Sequence, residues 1–170
     1  MLRAFSHPGS GLLFWLMGVS SVSMWGQGKC VNGWIQGQWP CESVELLAHV
    51  PNADMGGLNA NDLWGWTDPE DGREYVLFGQ RDGTWFVDVT DPSLPRIVGE
   101  LPSTGLANSK WRDVKVVGHH MVVVSEVQQS RLQVFDLTRL RDHTVIGPPI
   151  TFSTDTLVSG FSKAHNVAVL

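Results

Sequence analysis

Charge is scarce in this chain. Asp, Glu, Lys and Arg make up only 17% of its 170 residues, and the 12 Lys and Arg gather into no stripe, so nucleic acid is not an expected partner. Acidic residues number 17, giving a net charge of -5. Cysteine is limited to Cys30 and Cys41, and tyrosine to Tyr75. Chemistry-bearing motifs are equally thin. Gly56-Gly57 follows Met55 without the strand, helix and Lys that a phosphate loop needs. Ser125 and Ser162 lack a G-x-S-x-G elbow, so serine hydrolysis has no support.

What the chain does hold is apolar and turn-forming. Hydrophobic residues reach 42%, enough for a core and too many for a disordered chain. Gly (18) and Pro (9) are plentiful, as in a turn-rich β protein. The eight Trp suit either a β core or a sugar-stacking surface, and the core reading takes precedence.

The first residues read as a leader. Arg3 supplies a positive start, and GLLFWLMGVSSV (11–22) is an apolar stretch too short to span a bilayer, followed by small residues. Cleavage after Ser23, Gly26 or Gly28 makes residues 1–28 a signal peptide and places the mature chain outside the cytoplasm. Lys29 precedes Cys30 where a lipoprotein signal needs a small residue, so lipidation is not expected. An even cysteine count in an exported chain favours a Cys30–Cys41 disulfide. The wide spacing lacks the C-x-x-C signature of a redox pair or a close metal pair. Residues 29–60 then form an N-terminal cap, and 61–170 the repeated body.

That body reads as short strands and turns. DLWGWTD (62–68), EYVLFGQ (74–80), TWFVDVT (84–90) and RIVGELP (96–102) are four strands, separated by DPEDG, the Asp82-Gly83 hairpin signal and DPSLP. Prolines bracketing the fourth suit an edge position. The pattern restarts with WRDVKVVG (111–118), HMVVVSE (120–126), RLQVFDL (131–137) and PITF (149–152), and a third copy opens at FSKAHNVAVL (161–170). Asp88 matches Asp136, 48 residues on; Val76 matches Val123, Asp62 matches Asp113, and Asp113 matches Asn166. Four strands per ~40–50 residues is the signature of a β-propeller, whose blades shield one another's faces. Two blades and the start of a third cannot close a ring, so the chain is expected to be the N-terminal part of a longer propeller. A β-sandwich would fit the length but not the repeat.

These segments resemble the bacterial choice-of-anchor B family, whose members carry LVIVD repeats. The resemblance rests on C-x-N-G…W-P-C (30–41), VELLAHV (44–50), NDLWGWTDPEDGREYVLFG (61–79), DGTWFVDVTDPSLPRIVGELP (82–102), WRDVKVV (111–117), LQVFDLTRLR (132–141) and KAHNVAV (163–169). It implies an exported surface β-propeller with a variable C-terminal attachment signal, and it carries over no catalytic activity.

Asp62, Arg112, Asp113, His165 and Asn166 occupy corresponding places at the starts of first strands, which line the channel of a propeller. Their donors suit a divalent cation such as calcium, or a softer metal through the imidazole. The competing role is to fix turns and pair blades. Asp88 and Asp136 read as turn caps, and Glu70 and Asp71 as a solvated loop. Gly118-His119-His120 reads as a tight turn more than as a metal site. Trp64 and Trp66 share a face, and Trp85 is placed between blades. The signal peptide, the repeat and the family resemblance together imply a module that binds a protein or glycan at a cell surface, with no catalytic residue assigned. The alternative is a metal-dependent hydrolase or oxidoreductase with its centre in the channel.

Overall fold

The structure is a computed structural model that describes residues 26–107, 109–143 and 147–169. Most of the expected leader, residues 1–25, lies outside the described residues. The described chain is mainly β, built from antiparallel sheets of which none closes on itself.

The N-terminal segment carries two minimal sheets. β1 (Gly28–Lys29) pairs with β4 (Glu45–Leu46), and β2 (Trp34–Ile35) pairs with β3 (Trp39–Pro40). The Cys30–Cys41 disulfide joins them, as the sequence suggests. A 3-10 turn, Asn52–Met55, then leads into the body.

The first large sheet follows the expected strands closely. β5 (Ala60–Thr67), β6 (Glu74–Gln80), β7 (Gly83–Asp88) and β8 (Arg96–Pro102) pair in sequence order, each antiparallel to the last. In the second sheet, β9 (Arg112–Val117), β10 (His120–Ser125) and β11 (Leu132–Asp136) pair in the same way. A 3-10 helix, Leu137–His143, comes next. Then come β12 (Ile150–Thr151) and β13 (Thr156–Val158).

Three expectations about these strands are corrected. PITF is not the fourth strand of the second sheet. Its residues Ile150 and Thr151 form β12, parallel to β8 in the first sheet, and Thr156–Val158 takes the fourth place beside β11. Phe152 packs in keeping with this exchange, its ring edge-on to Phe86 at 5.5 Å and to Phe135 at 5.3 Å. Gly99 permits it, since a Cβ there would lie 2.1 Å from the Ile150 carbonyl oxygen. Consequently β8 is not an edge strand, despite its flanking prolines. Finally, Tyr75 faces Asp88 and His120 faces Asp136, so Val76 corresponds to Met121, while Val123 corresponds to Phe78.

The core lies between the two large sheets. Trp66, Tyr75, Leu77, Phe86, Val98 and Leu101 meet Val114, Met121, Val123 and Phe135, with Leu137, Leu140 and Phe152 closing one side. Trp66 stacks on Tyr75 at 5.5 Å and Phe86 on Phe135 at 4.9 Å. Alternation along the strands puts their neighbours on the opposite faces. Trp85 is one of these, and it does not pack between the sheets: its ring lies beside Gly56 of the N-terminal segment, where Asn52 also accepts a hydrogen bond from Gln80 at 2.7 Å. Asn52 and Gly56 of the N-terminal segment thus touch the first sheet on its far side. No helix among the described residues is long and apolar enough to cross a membrane.

Candidate functional site

The leading strands of the two sheets, β5 and β9, run beside each other, and this brings Asp62 and Asp113 together. Asp62 Oδ2 accepts a hydrogen bond from the Val114 N–H at 3.0 Å. Asp113 Oδ2 accepts one from the Val167 N–H at 2.7 Å. In each case the donor follows the residue that matches the acceptor in the next copy. The ammonium of Lys115 reaches both carboxylates, ion-paired to Asp113 and 3.5 Å from Asp62. It also lies over the Trp64 ring, 4.6 Å from the centroid. Trp64 and Trp66 do share a face: Trp66 is sunk in the core, whereas Trp64 stays half-exposed against β9.

The electrostatics follow from this packing. Burial works against the Asp113 carboxylate, but Lys115, the Val167 N–H and Asp62 outweigh it and hold its pKa below the ordinary 3.8. Burial likewise works against the Lys115 cation, and Asp113 and Asp62 outweigh it, so its pKa stands above 10.5. The result is a triad in which one protein cation bridges two carboxylates. Calcium would have to compete with that ammonium for the same oxygens.

Arg112 turns away from this group. It is buried, its Nε–H donates to the Gln80 carbonyl at 2.9 Å, and desolvation pushes its pKa down to about 10. Its own carbonyl accepts from Asn61 at 2.6 Å, a further tie between β5 and β9. His165 is exposed and lies 2.7 Å from Glu126 through Nδ1, with its ring 5.8 Å from that of Trp111. Asn166 is exposed between His165 and the Val167 amide. The five proposed residues therefore divide: Asp62 and Asp113 meet through Lys115, Arg112 serves the strand interface, and His165 pairs with Glu126.

Turn-capping roles are plain for two other aspartates. Asp88 Oδ1 accepts from the N–H (3.1 Å) and hydroxyl (2.7 Å) of Thr90. Asp136 Oδ1 accepts from the same groups of Thr138, at 3.0 and 2.8 Å. Arg73 and Arg96 each reach Asp88 Oδ2 at 3.2 Å. A second ion pair links the sheets at the opposite end from the triad. Arg141 holds Asp68 through two bonds of 2.5 and 2.6 Å and also pairs with Glu70. Asp68 is fully buried, and the Arg141 bonds dominate in lowering its pKa. Glu70 is exposed but ion-paired, and Asp71 pairs with Arg73, so the loop is solvated yet anchored.

Sequence reasoning missed Lys115 and Arg141. Lys115 had a usable signal, since it lies two residues from Asp113 and so on the same strand face. Arg141 lies 73 residues from Asp68, and no local pattern announces the pair.

Two shallow depressions lie apart from these groups. One, of about 390 Å³, is bordered by Lys29, Glu45 and Ser93; the other, of about 400 Å³, by Arg131 and Phe161. Neither gathers titratable groups of the kind that meet at Lys115. No protein-family model, no curated protein and no solved structure matches this chain.

Proposed function

We propose that this chain forms successive blades of an exported β-propeller that acts as a binding module for a protein or glycan at a cell surface. The observation that carries the reading is a tie repeated from a leading strand to the start of the next copy, Asp62 to Val114 and Asp113 to Val167. A repeat of this kind supports units stacked in succession, as the blades of a propeller are. The far face of the second sheet supports the same stacking. By register, Val117, Val122 and Val134 stand where the first sheet has Trp66, Leu77 and Phe86, the residues it buries against its neighbour. The Cys30–Cys41 disulfide suits an oxidising compartment.

Cell fractionation of the native host, with alkylation of free thiols before lysis, tests the export half. Recovery in the envelope or medium with Cys30 and Cys41 protected supports the proposal. Recovery in the cytoplasm with both thiols alkylated overturns it. Screening the exported protein on glycan arrays and host-surface proteins tests the binding half, with saturable binding as the expected result.

A further inference from the structure

The turn between β9 and β10 brings two imidazoles to one carboxylate. Gly118 there adopts φ +60°, a left-handed conformation that L side chains resist. The turn is so tight that His119 and His120, although adjacent, do not diverge as strand neighbours would. Their ring centroids lie 4.3 Å apart. His120 stands directly opposite Asp136 in the β10–β11 ladder, and a ligating atom from each of the three residues lies within 4.8 Å of the other two.

Comparison of the two sheets shows what is unusual here. Asp88 and Asp136 are equivalent residues with the same threonine cap, but their surroundings differ. In the first sheet two guanidinium groups, from Arg73 and Arg96, compensate Asp88. In the second sheet, among the described residues, no Arg or Lys forms an ion pair with Asp136. His119 and His120 stand near it instead, and His120 holds the register position of Tyr75.

The group is also held in place by its backbone. The His119 carbonyl accepts the Leu137 N–H at 2.8 Å, and the Asp136 N–H donates to Asp155 at 2.7 Å. Asp136 Oδ1 is fixed by Thr138. His119 is exposed, while His120 and Asp136 are half-buried, so an ion has a route from solvent.

We propose that His119, His120 and Asp136 form a binding site for a divalent first-row transition metal, zinc foremost. Two imidazoles and one carboxylate form a borderline donor set that favours such ions over calcium or magnesium. Tetrahedral zinc with bonds of about 2.0–2.1 Å needs its ligands roughly 3.3 Å apart, so small side-chain rotations close the site. Three protein ligands leave a fourth position for water or for a donor from a partner.

Zinc titration of the full chain, followed by calorimetry and by imidazole NMR, tests the assignment. One zinc per chain is expected, with the ring signals of His119 and His120 shifting and those of His49 and His165 unmoved. Replacing both residues (His119→Ala with His120→Ala) should weaken zinc binding by at least about tenfold, whereas His165→Ala should leave it unchanged. Far-UV circular dichroism of the double variant checks that it folds, and the wild-type NMR shifts decide the matter if it does not. Binding that persists undiminished in a folded double variant overturns the proposal. So do zinc-induced shifts confined to His49 or His165, or the absence of binding to the wild-type chain.

Discussion

The backbone N–H of Val114 donates to a carboxylate oxygen of Asp62 at 3.0 Å, so the leading strand of one sheet is tied to that of the next by a side chain. Asp113 repeats the arrangement toward Val167 and also holds Lys115. Replacing Asp113 by Ala leaves the Val167 N–H without its acceptor and takes from Lys115 the nearer of its two carboxylates. We expect Asp113→Ala to lower stability by about 1–3 kcal/mol, the usual cost of orphaning such groups. Asp113→Asn keeps an oxygen for the Val167 amide and should cost less. Urea denaturation checks both, with a lower midpoint and an unchanged slope expected. Wild-type midpoints would show that the tie bears no load.

Acid should unfold this protein through its structural aspartates. Asp68, Asp88, Asp113 and Asp136 all have folded-state pKa values below the ordinary 3.8. The unfolded chain therefore takes up protons first as pH falls. The stability these groups contribute is complete above about pH 5 and drains away through pH 4 and below. Lys115 behaves oppositely. Its raised pKa supplies stability that is present below 10.5 and lost as pH climbs through the folded value. Thermal melts from pH 2 to 7 should show a steep acid limb. Arg141→Met should flatten that limb, because Asp68 then loses the partner that does most to lower its pKa. An acid limb unchanged in this variant would exclude Asp68 as a contributor.

Much of this architecture was legible in the sequence, for identifiable reasons. EYVLFGQ and RIVGELP became β6 and β8 residue for residue, because each is an apolar run bounded by turn formers. The Asp88 and Asp136 caps were legible because an aspartate and the threonine two residues on make a local device. The parallel pairing of β12 was not, since it depends on Phe152 finding Phe86 and Phe135 across the core. The equivalence of Val76 and Val123 failed because apolar residues recur along a strand and only the ladder fixes the register. Asp62 and Asp113 were found by their spacing, but their role was set by Lys115 and by amides that no spacing reveals. His119 and His120 read as a turn, and they form one. That the turn also gathers their rings beside Asp136 depends on cross-strand register.

Reduction of Cys30–Cys41 should loosen the N-terminal segment alone. Among the described residues, β1 to β4 pair only with one another, in two sheets of two strands. The cysteines are 11 residues apart, and closing so short a loop stabilises by about 2–3 kcal/mol at most. Hydrogen exchange after reduction should show faster exchange at Trp34, Gln38 and Cys41, whose amides bond within that segment. The amides of Leu137 and Phe152, bonded within the large sheets, should keep their protection. Simultaneous loss at both sets would mean that the cap and the sheets unfold as one unit.

Gly99 offers the sharpest test of how the two sheets are joined. A Cβ at this position would sit 2.1 Å from the Ile150 oxygen and 2.9 Å from both the Ile150 nitrogen and the Phe152 ring. Two of those contacts are backbone, so the neighbours cannot rotate aside, and β12 must move away from β8. With it would go the Phe152 N–H bond to the Glu100 carbonyl, now 2.8 Å, and the contacts of the Phe152 ring with Phe86 and Phe135. Gly99→Ala should therefore destabilise by about 1–3 kcal/mol, as overpacking does. It should also expose the Phe152 amide to fast exchange while the Leu137 amide, bonded to the His119 carbonyl in the second sheet's turn, stays slow. Phe152→Ala should reproduce the same local exchange pattern without the backbone clash, because removing the ring leaves a cavity where β12 is anchored. Agreement between the two variants would identify the aromatic cluster as what recruits β12 to the first sheet. If Gly99→Ala were instead as stable as wild type with Phe152 still protected, the parallel β8–β12 pairing would be wrong, and residues 149–152 would belong to the second sheet after all.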